Sequence, residues 1–319
     1  MNTQKLSAGK LVSLIAPVYN EQAGVETFYT VITEIIKKCA DYRFEIIFID
    51  DGSNDDTLSI IETICEQDPT VKVIEFSRNF GKESALSAGI DHAAGDAVIP
   101  IDSDLQDPPH LILQMLEEWE KGAEVVLARR ASRSSDAFLK RSSAGLFYKF
   151  HNLISSVKIP DNVGDYRLMD RIVVDAIKRL PEQQRFMKGL FAWVGFNAVT
   201  IEYSRDVRAA GQTSFTGWRL WNFALEGFTG FSTAPLKLSL YAGVLGAFFS
   251  FLYVVFIIIR TLLYGADTPG FPSLVIAILF MGSLQLISLG ILGEYVGRGY
   301  MESKNRPLYI VRKFHGVEQ

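Results

Sequence analysis

Hydrophobic positions change period repeatedly along the first half of the chain. Leu11–Pro17 is a continuous apolar run, as expected of a short strand buried on both faces. Val25, Phe28, Tyr29, Ile32, Ile35, Ile36 and Cys39 then recur at helical spacing. Phe44–Ile49 predicts a second strand, and Leu58, Ile61, Ile64 and Cys65 mark a second helix. The alternation goes on through the strand Val71–Phe76, the helix Glu83–Ala93, the strand Ala97–Ile101, the helix Leu111–Trp119 and the strand Glu124–Ala128. Repeated strand–helix units predict an α/β fold with a mostly parallel, Rossmann-like sheet covered by helices on both faces.

The second half has a different texture. Between residues 133 and 156, Phe138, Leu146, Phe147, Phe150, Leu153 and Ile154 form an apolar stripe among Arg133, Lys140, Arg141 and Lys149. That pattern fits either a surface helix packed on the sheet or a basic amphipathic helix at a membrane surface. Residues 214–234 are crowded with Phe215, Trp218, Trp221, Phe223, Phe228 and Phe231, rings that favour the lipid headgroup boundary. Leu238–Ile259 and Phe271–Gly293 carry no charged residue. At 1.5 Å per residue each spans about 33 Å, enough to cross a hydrocarbon core of about 30 Å. Two transmembrane helices are predicted. Lys237 on one flank, with Arg298, Lys304, Arg306, Arg312 and Lys313 on the other, places both termini in the cytoplasm by the positive-inside rule. The expected address is the inner (plasma) membrane, multi-pass. Gly243, Gly246 and Ala247 would allow close helix packing and a homo-oligomer.

Composition sharpens this picture in two respects. Formal net charge is −4, so no global basic footprint points to nucleic acid. The two cysteines, Cys39 and Cys65, both lie in helix-like segments and read as small core hydrophobes in a reducing compartment.

In parallel sheets, ligands sit beyond the carboxyl ends of the strands. Here those ends are polar: Pro17-Val18-Tyr19-Asn20-Glu21, Asp50-Asp51-Gly52-Ser53, Arg78-Asn79-Phe80-Gly81-Lys82 and Asp102-Ser103-Asp104-Leu105-Gln106-Asp107. Each is an ordinary surface sequence when taken alone, but four at successive strand ends are informative. Carboxylates gathered around a nucleotide-sugar pyrophosphate would repel it unless a divalent cation stood between. Oxygen ligands at this spacing suit Mg2+ or Mn2+. Asp104 is the expected metal ligand, with Asp102 on the metal or ribose side. Tyr19 would stack on the base, and Glu21 and Asp50 would accept hydrogen bonds from ribose and base. Pro17 and Lys82 belong to the same nucleotide-sugar-binding set. Arg129, Arg130, Arg133 and Arg141 follow the last parallel strand, and their guanidinium forks suit an acceptor phosphate, although a solvated basic face near anionic lipid has the same composition.

These strand-end motifs resemble those of family 2 glycosyltransferases of the GT-A fold. Arg78–Glu83, Gly164-Asp165-Tyr166-Arg167-Leu168-Met169-Asp170, Arg185-Phe186-Met187-Lys188-Gly189 and the C-terminal pair of apolar runs narrow the resemblance. They are similar to the polyisoprenyl-phosphate members, the bactoprenol glucosyltransferases and dolichol-phosphate mannose synthases, over nearly the whole chain. The resemblance implies inverting transfer of one sugar from a UDP-sugar, glucose being expected, to undecaprenyl phosphate. It implies a metal at Asp104 with Gln106 as a further ligand, and a homo-oligomer. It puts Asp165, read here in a polar loop over residues 161–167, in the place of a catalytic base. A phosphate monoester is already mostly dianionic at neutral pH, so the same place equally suits an Asp165 that orients the acceptor. Processive polysaccharide synthases on this fold carry Gln-x-x-Arg-Trp. The nearest match here, Glu182-Gln183-Gln184-Arg185-Phe186, lacks both the Gln and the Trp, which favours single transfer over polymer synthesis. The implied division is a nucleotide-sugar-binding core over 1–135, an acceptor-side region with interfacial helices over 136–235, the membrane helices over 236–298 and a cytoplasmic tail over 299–319.

Overall fold

A computed structural model describes residues 9–130, 163–183, 185–203, 234–264 and 270–316. Strands β1 (Leu11–Val18), β2 (Arg43–Asp50), β3 (Val71–Phe76), β4 (Ala97–Pro100) and β5 (Val125–Arg130) alternate with helices α1 (Val25–Ile36), α2 (Thr57–Gln67), α3 (Lys82–His92) and α4 (Leu111–Glu120). Then follow β6 (Val163–Asp170), α5 (Arg171–Lys178), α6 (Met187–Trp193) and β7 (Ala198–Tyr203). Two long helices, α7 (Ala234–Tyr264) and α8 (Phe271–Ser303), precede β8 (Val311–His315). The strands form one sheet in the order β7-β5-β6-β4-β1-β2-β3-β8.

Successive side chains of a strand point to opposite faces, so a strand covered on both faces must be apolar throughout. β1 meets that condition except at Ser13, whose buried hydroxyl donates to Glu45 of β2. Val12, Leu14, Ala16 and Val18 join the core under α1, α2 and α4, whereas Ile15 joins the core under α3, α5 and α6. Gly89 lets α3 lie against the sheet, because a Cβ there would stand 2.9 Å from the Ile15 Cβ.

The chain runs outward from β1 to β2 and β3, then returns to β4 on the other side of β1, all in parallel pairing. The carboxyl ends of β1 and β4 therefore diverge at a point where strand order reverses, the usual place for a ligand crevice in such sheets.

Two features depart from the sequence reading. Residues 163–170 are not a loop but a strand, antiparallel to both β4 and β5. Its polar residues concealed it: Asp165 and Arg167 lie on one face, and Tyr166 and Leu168 are buried on the other. A helix, α5, follows this strand directly, and Asp170 caps it by accepting from the Ile172 N–H (3.0 Å). The segment after residue 299 is likewise more than a tail. β8 pairs antiparallel with the outer edge of β3. Tyr309 stacks on Phe76 with ring centroids 5.1 Å apart and donates to Asp91 at 3.0 Å. The end of α8 is tied down as well, where the Gln183 N–H donates to the Glu302 carboxylate at 3.0 Å.

α7 and α8 contain both charge-free runs and pack on each other. Large apolar side chains along them, among them Phe248, Phe249, Phe256, Leu286 and Leu289, are exposed. Among the described residues, Phe280–Ser303 is long and apolar enough to cross a membrane, and the apolar stretch Tyr241–Tyr253 of α7 is shorter. The basic segment 133–156 and the aromatic segment before Ala234 lie outside the described residues.

Candidate active site

The loop after β1 is locked to the loop after β2. The Asn20 N–H donates to Ser53 Oγ (3.0 Å), the Asn54 N–H to Asn20 Oδ1 (2.8 Å) and the Glu21 N–H to Thr57 Oγ1 (2.8 Å). Asn20 takes the left-handed conformation at φ 54°, which asparagine tolerates better than most residues. Asp51 fixes the next loop by accepting from the backbone N–H groups of Phe80 (2.6 Å) and Gly81 (2.9 Å). Gly52, at φ +70°, leaves room for that approach, since a Cβ there would stand 2.5 Å from the Arg78 carbonyl carbon.

These contacts shape a cavity of about 330 Å3 lined by Pro17, Tyr19, Glu21, Asp51, Lys82, Asp102 and Asp104 among others. An adjoining cavity of about 380 Å3 shares Tyr19 and Asn79 with it and is lined further by Asp50, Ser53, Glu75, Arg78 and Arg312. Five of the sequence-predicted residues besides Asp104 thus meet in the first cavity, and Asp50 occupies the second. Asp51 and Arg312 were not predicted. The Asp-Asp pair was visible in the sequence, but which member anchors a loop is a tertiary matter.

Electrostatically the site is a carboxylate cluster with the Lys82 ammonium set inside it. The Lys82 ammonium, at the start of α3, lies 2.7 Å from Asp102 Oδ1 and 3.1 Å from Asp165 Oδ2. Burial opposes charge on Lys82, but these two carboxylates overcome it and raise its pKa. Burial would raise the pKa of Asp165; Lys82, Lys188 and Arg167 outweigh it and hold the carboxyl below its usual range. Asp165 Oδ1 is buried and has no hydrogen-bond partner among the described residues. Arg167, also buried, donates to the Gly164 carbonyl (2.6 Å) and lies over the Phe191 ring, 4.1 Å from its centroid. Burial lowers its pKa to about 10, and Asp165 opposes the change. Glu83, beside Lys82, accepts from the Met187 N–H at 3.2 Å and is pushed up to about 7 by burial and then by Asp165. Glu21 is raised by burial and by the neighbouring Asp104, Asp55 and Asp102. A carboxylate lifted by three others marks a strongly negative mouth.

Asp104 stands exposed in that mouth, where its Oδ1 accepts from the Gln106 N–H at 3.0 Å. Leu105 between them is left-handed at φ 53°. Among the described residues, no three His, Cys, Asp or Glu side chains converge as a closed metal cage. Arg129, at the end of β5, is exposed and ion-paired with Glu202 of β7, and does not line either cavity. Arg130 is the last residue of β5. Arg133 and Arg141 lie outside the described residues.

Residues 13–178 match the family model described as Glycosyl transferase family 2. The chain belongs to this family. It is 53% identical over 304 residues to the SfII prophage-derived bactoprenol glucosyl transferase of Shigella flexneri, covering 95% of this chain and 98% of that protein. It is 50% identical over 302 residues to the prophage bactoprenol glucosyl transferase homolog of Escherichia coli, covering 95% and 98%. Among solved structures it resembles the mannosyltransferase PcManGT from Pyrobaculum calidifontis, in complex with GDP-Man and Mn2+, with a TM-score of 0.47, 18% identity and coverage of 93% and 84%. The protein is a glycosyltransferase with a GT-A-like α/β fold, as the strand-end motifs implied, and the crevice between β1 and β4 is the candidate active site of the transferase.

Proposed function

We propose that the transferase moves a single glucose from UDP-glucose to the phosphate of undecaprenyl phosphate, with inversion, at the cytoplasmic face of the inner membrane. The observation that carries the donor half is the carboxylate-lined crevice at the strand reversal, with Lys82 set between Asp102 and Asp165. The bactoprenol glucosyl transferases that match over nearly their whole length support the acceptor and the sugar.

Asp104, Asp102 and Gln106 fit Mg2+ or Mn2+ as an ion shared with the substrate, because such ions are commonly held by one or two carboxylates while phosphate oxygens complete the shell. The three carboxylates that raise Glu21 create the negative potential that such an ion relieves. When bound, the ion neutralises charge growing on the departing diphosphate. Tyr19 and Asp50 receive the base, Pro17 and Glu21 flank the ribose, and Lys82 steadies Asp102. The acceptor oxygen attacks the anomeric carbon from the face opposite the diphosphate; the new carbon–oxygen bond forms as the bond to UDP breaks. The acceptor phosphate has a second pKa near ~6 and arrives as a nucleophilic dianion. Asp165, kept ionised by Lys82, Lys188 and Arg167, serves to position groups at the reacting centre. Arg129, Arg130, Arg133 and Arg141 guide the phosphate in from the bilayer.

Both α7 and α8 cross the membrane in this reading. β8 follows α8 yet hydrogen-bonds into the same sheet as β1–β4, so the chain must cross an even number of times between them. A spanning α8 therefore requires a second crossing, and α7 supplies it. Residues 1–135 then form the donor-binding core and 136–235 the acceptor side, with both termini cytoplasmic and the helix pair available for self-association.

The test is transfer of labelled glucose in membranes. Asp104→Asn, or chelation of divalent metal, is expected to lower transfer more than 100-fold with the fold retained. Unimpaired transfer would overturn the assignment.

A further inference from the structure

We infer that Arg312, contributed by the strand that follows the two long helices, completes the base subsite, and that Asp50 and Arg312 together read a base with a ring N–H beside a carbonyl. This rests on the reading above of the crevice as a nucleotide-sugar site.

Three observations bring Arg312 there. The first is register. Val311 pairs with Phe76 and Lys313 with Glu75, so two consecutive residues of β3 face a two-residue step of β8. Arg312 is the extra residue of a β-bulge, a device that turns a side chain out of the ladder and recurs beside active sites. The second is placement. Arg312 lines the 380 Å3 cavity together with Tyr19 and Asp50, the residues assigned to the base. The third is hydrogen-bond supply. Arg312 donates to Glu75 Oε1 (3.0 Å) and to the Ser77 carbonyl (3.3 Å). A guanidinium has five N–H donors, and its side chain here is 63% exposed, so donors remain for a ligand. Glu75, by contrast, is buried, and it holds the fork in place.

Asp50 supplies the complementary half. One of its oxygens accepts from the Ser53 N–H at 3.2 Å, while Oδ1 is buried with no partner among the described residues. An orphan buried acceptor calls for a donor, and a ligand N–H would provide one. Uracil offers a ring N–H flanked by carbonyls, and guanine offers a ring N–H beside one. Cytosine and adenine present the reverse, a ring lone pair beside an amino group, which would set lone pair against Asp50 and N–H against Arg312. Such mismatches leave buried polar groups unpaired and discriminate strongly. The geometry thus selects uracil and guanine as a class, and it makes that selection depend on a residue beyond the membrane helices.

The experiment uses the full chain in native membranes. Arg312→Ala is expected to raise KM for UDP-glucose about tenfold with kcat within about twofold, the effect of losing one charged hydrogen bond. Inhibition by UDP should weaken by a similar factor, inhibition by inorganic pyrophosphate should not change, and the preference for UDP over CDP as inhibitor should shrink. Arg312→Lys keeps a cation beside Glu75 and should fall between; it decides the matter if the alanine variant does not fold. An unchanged KM, or equal weakening toward UDP and pyrophosphate, would overturn the inference while leaving the transferase reading intact. No transfer by the unaltered protein from any nucleotide-glucose would overturn both.

Discussion

Asp50 and Asp51 are neighbours in the chain and opposites in role. Strand alternation sends one carboxylate to the cavity shared with Arg312 and the other against the backbone of Phe80 and Gly81. Asp51→Ala strands those part-buried N–H groups, so it should cost about 1–3 kcal/mol of stability and raise donor KM, read by thermal unfolding and initial rates. Glu83 gives a pH-dependent case. Its pKa in the fold is about 7, above an ordinary carboxyl, so folding takes up a proton there between about pH 4.5 and 7. The stabilising share of this group is full below pH 4.5 and is lost as pH rises through 7. Glu83→Gln removes the buried charge and should therefore raise the Tm at pH 8, with the difference shrinking toward pH 5. A constant offset across that range would refute the assignment.

At the scale of elements, α3 does the most to assemble the site. Its first residues deliver Lys82 and Glu83, and Gly89 lets the helix approach β1 closely enough to bring Lys82 between Asp102 and Asp165. Gly89→Leu should lift the helix off the sheet at a cost of about 1–3 kcal/mol or more, lowering both Tm and kcat. β6 is the second decisive element. Inserted antiparallel between β4 and β5, it carries Asp165 to the same crevice from a distant part of the chain. Sequence patterning missed it because its inward polar residues, Asp165 and Arg167, break the apolar run by which a buried strand is recognised. Their charges are tolerated where Lys82, Lys188 and the Gly164 carbonyl compensate them. The parallel strands keep apolar runs around their isolated polar residues, Ser13, Glu45, Lys72 and Glu75, and were legible to within one or two positions.

At the scale of the molecule, the sheet closes over an excursion. The chain leaves the sheet through α7, comes back along α8 and rejoins it as β8, so the helix pair and the cavity lined by Arg312 share an edge. Three outcomes are expected. The protein should resist extraction by alkaline carbonate yet dissolve in detergent, and reporter cysteines at both termini should label only from the cytoplasmic side. The lipid product should carry one sugar by mass; a polymer would point instead to a processive enzyme.

Legible in the sequence alone were the family, the α/β alternation, the two long C-terminal helices and the polar character of four strand ends, because period and composition are local properties of a chain. Which carboxylate faces which cavity, the union of Lys82 with Asp102 and Asp165, and the return of Arg312 to the β3 edge were decided only in the tertiary structure. Those depend on strand order and register, and hydrogen-bond pairing between distant segments leaves no periodic trace in either partner.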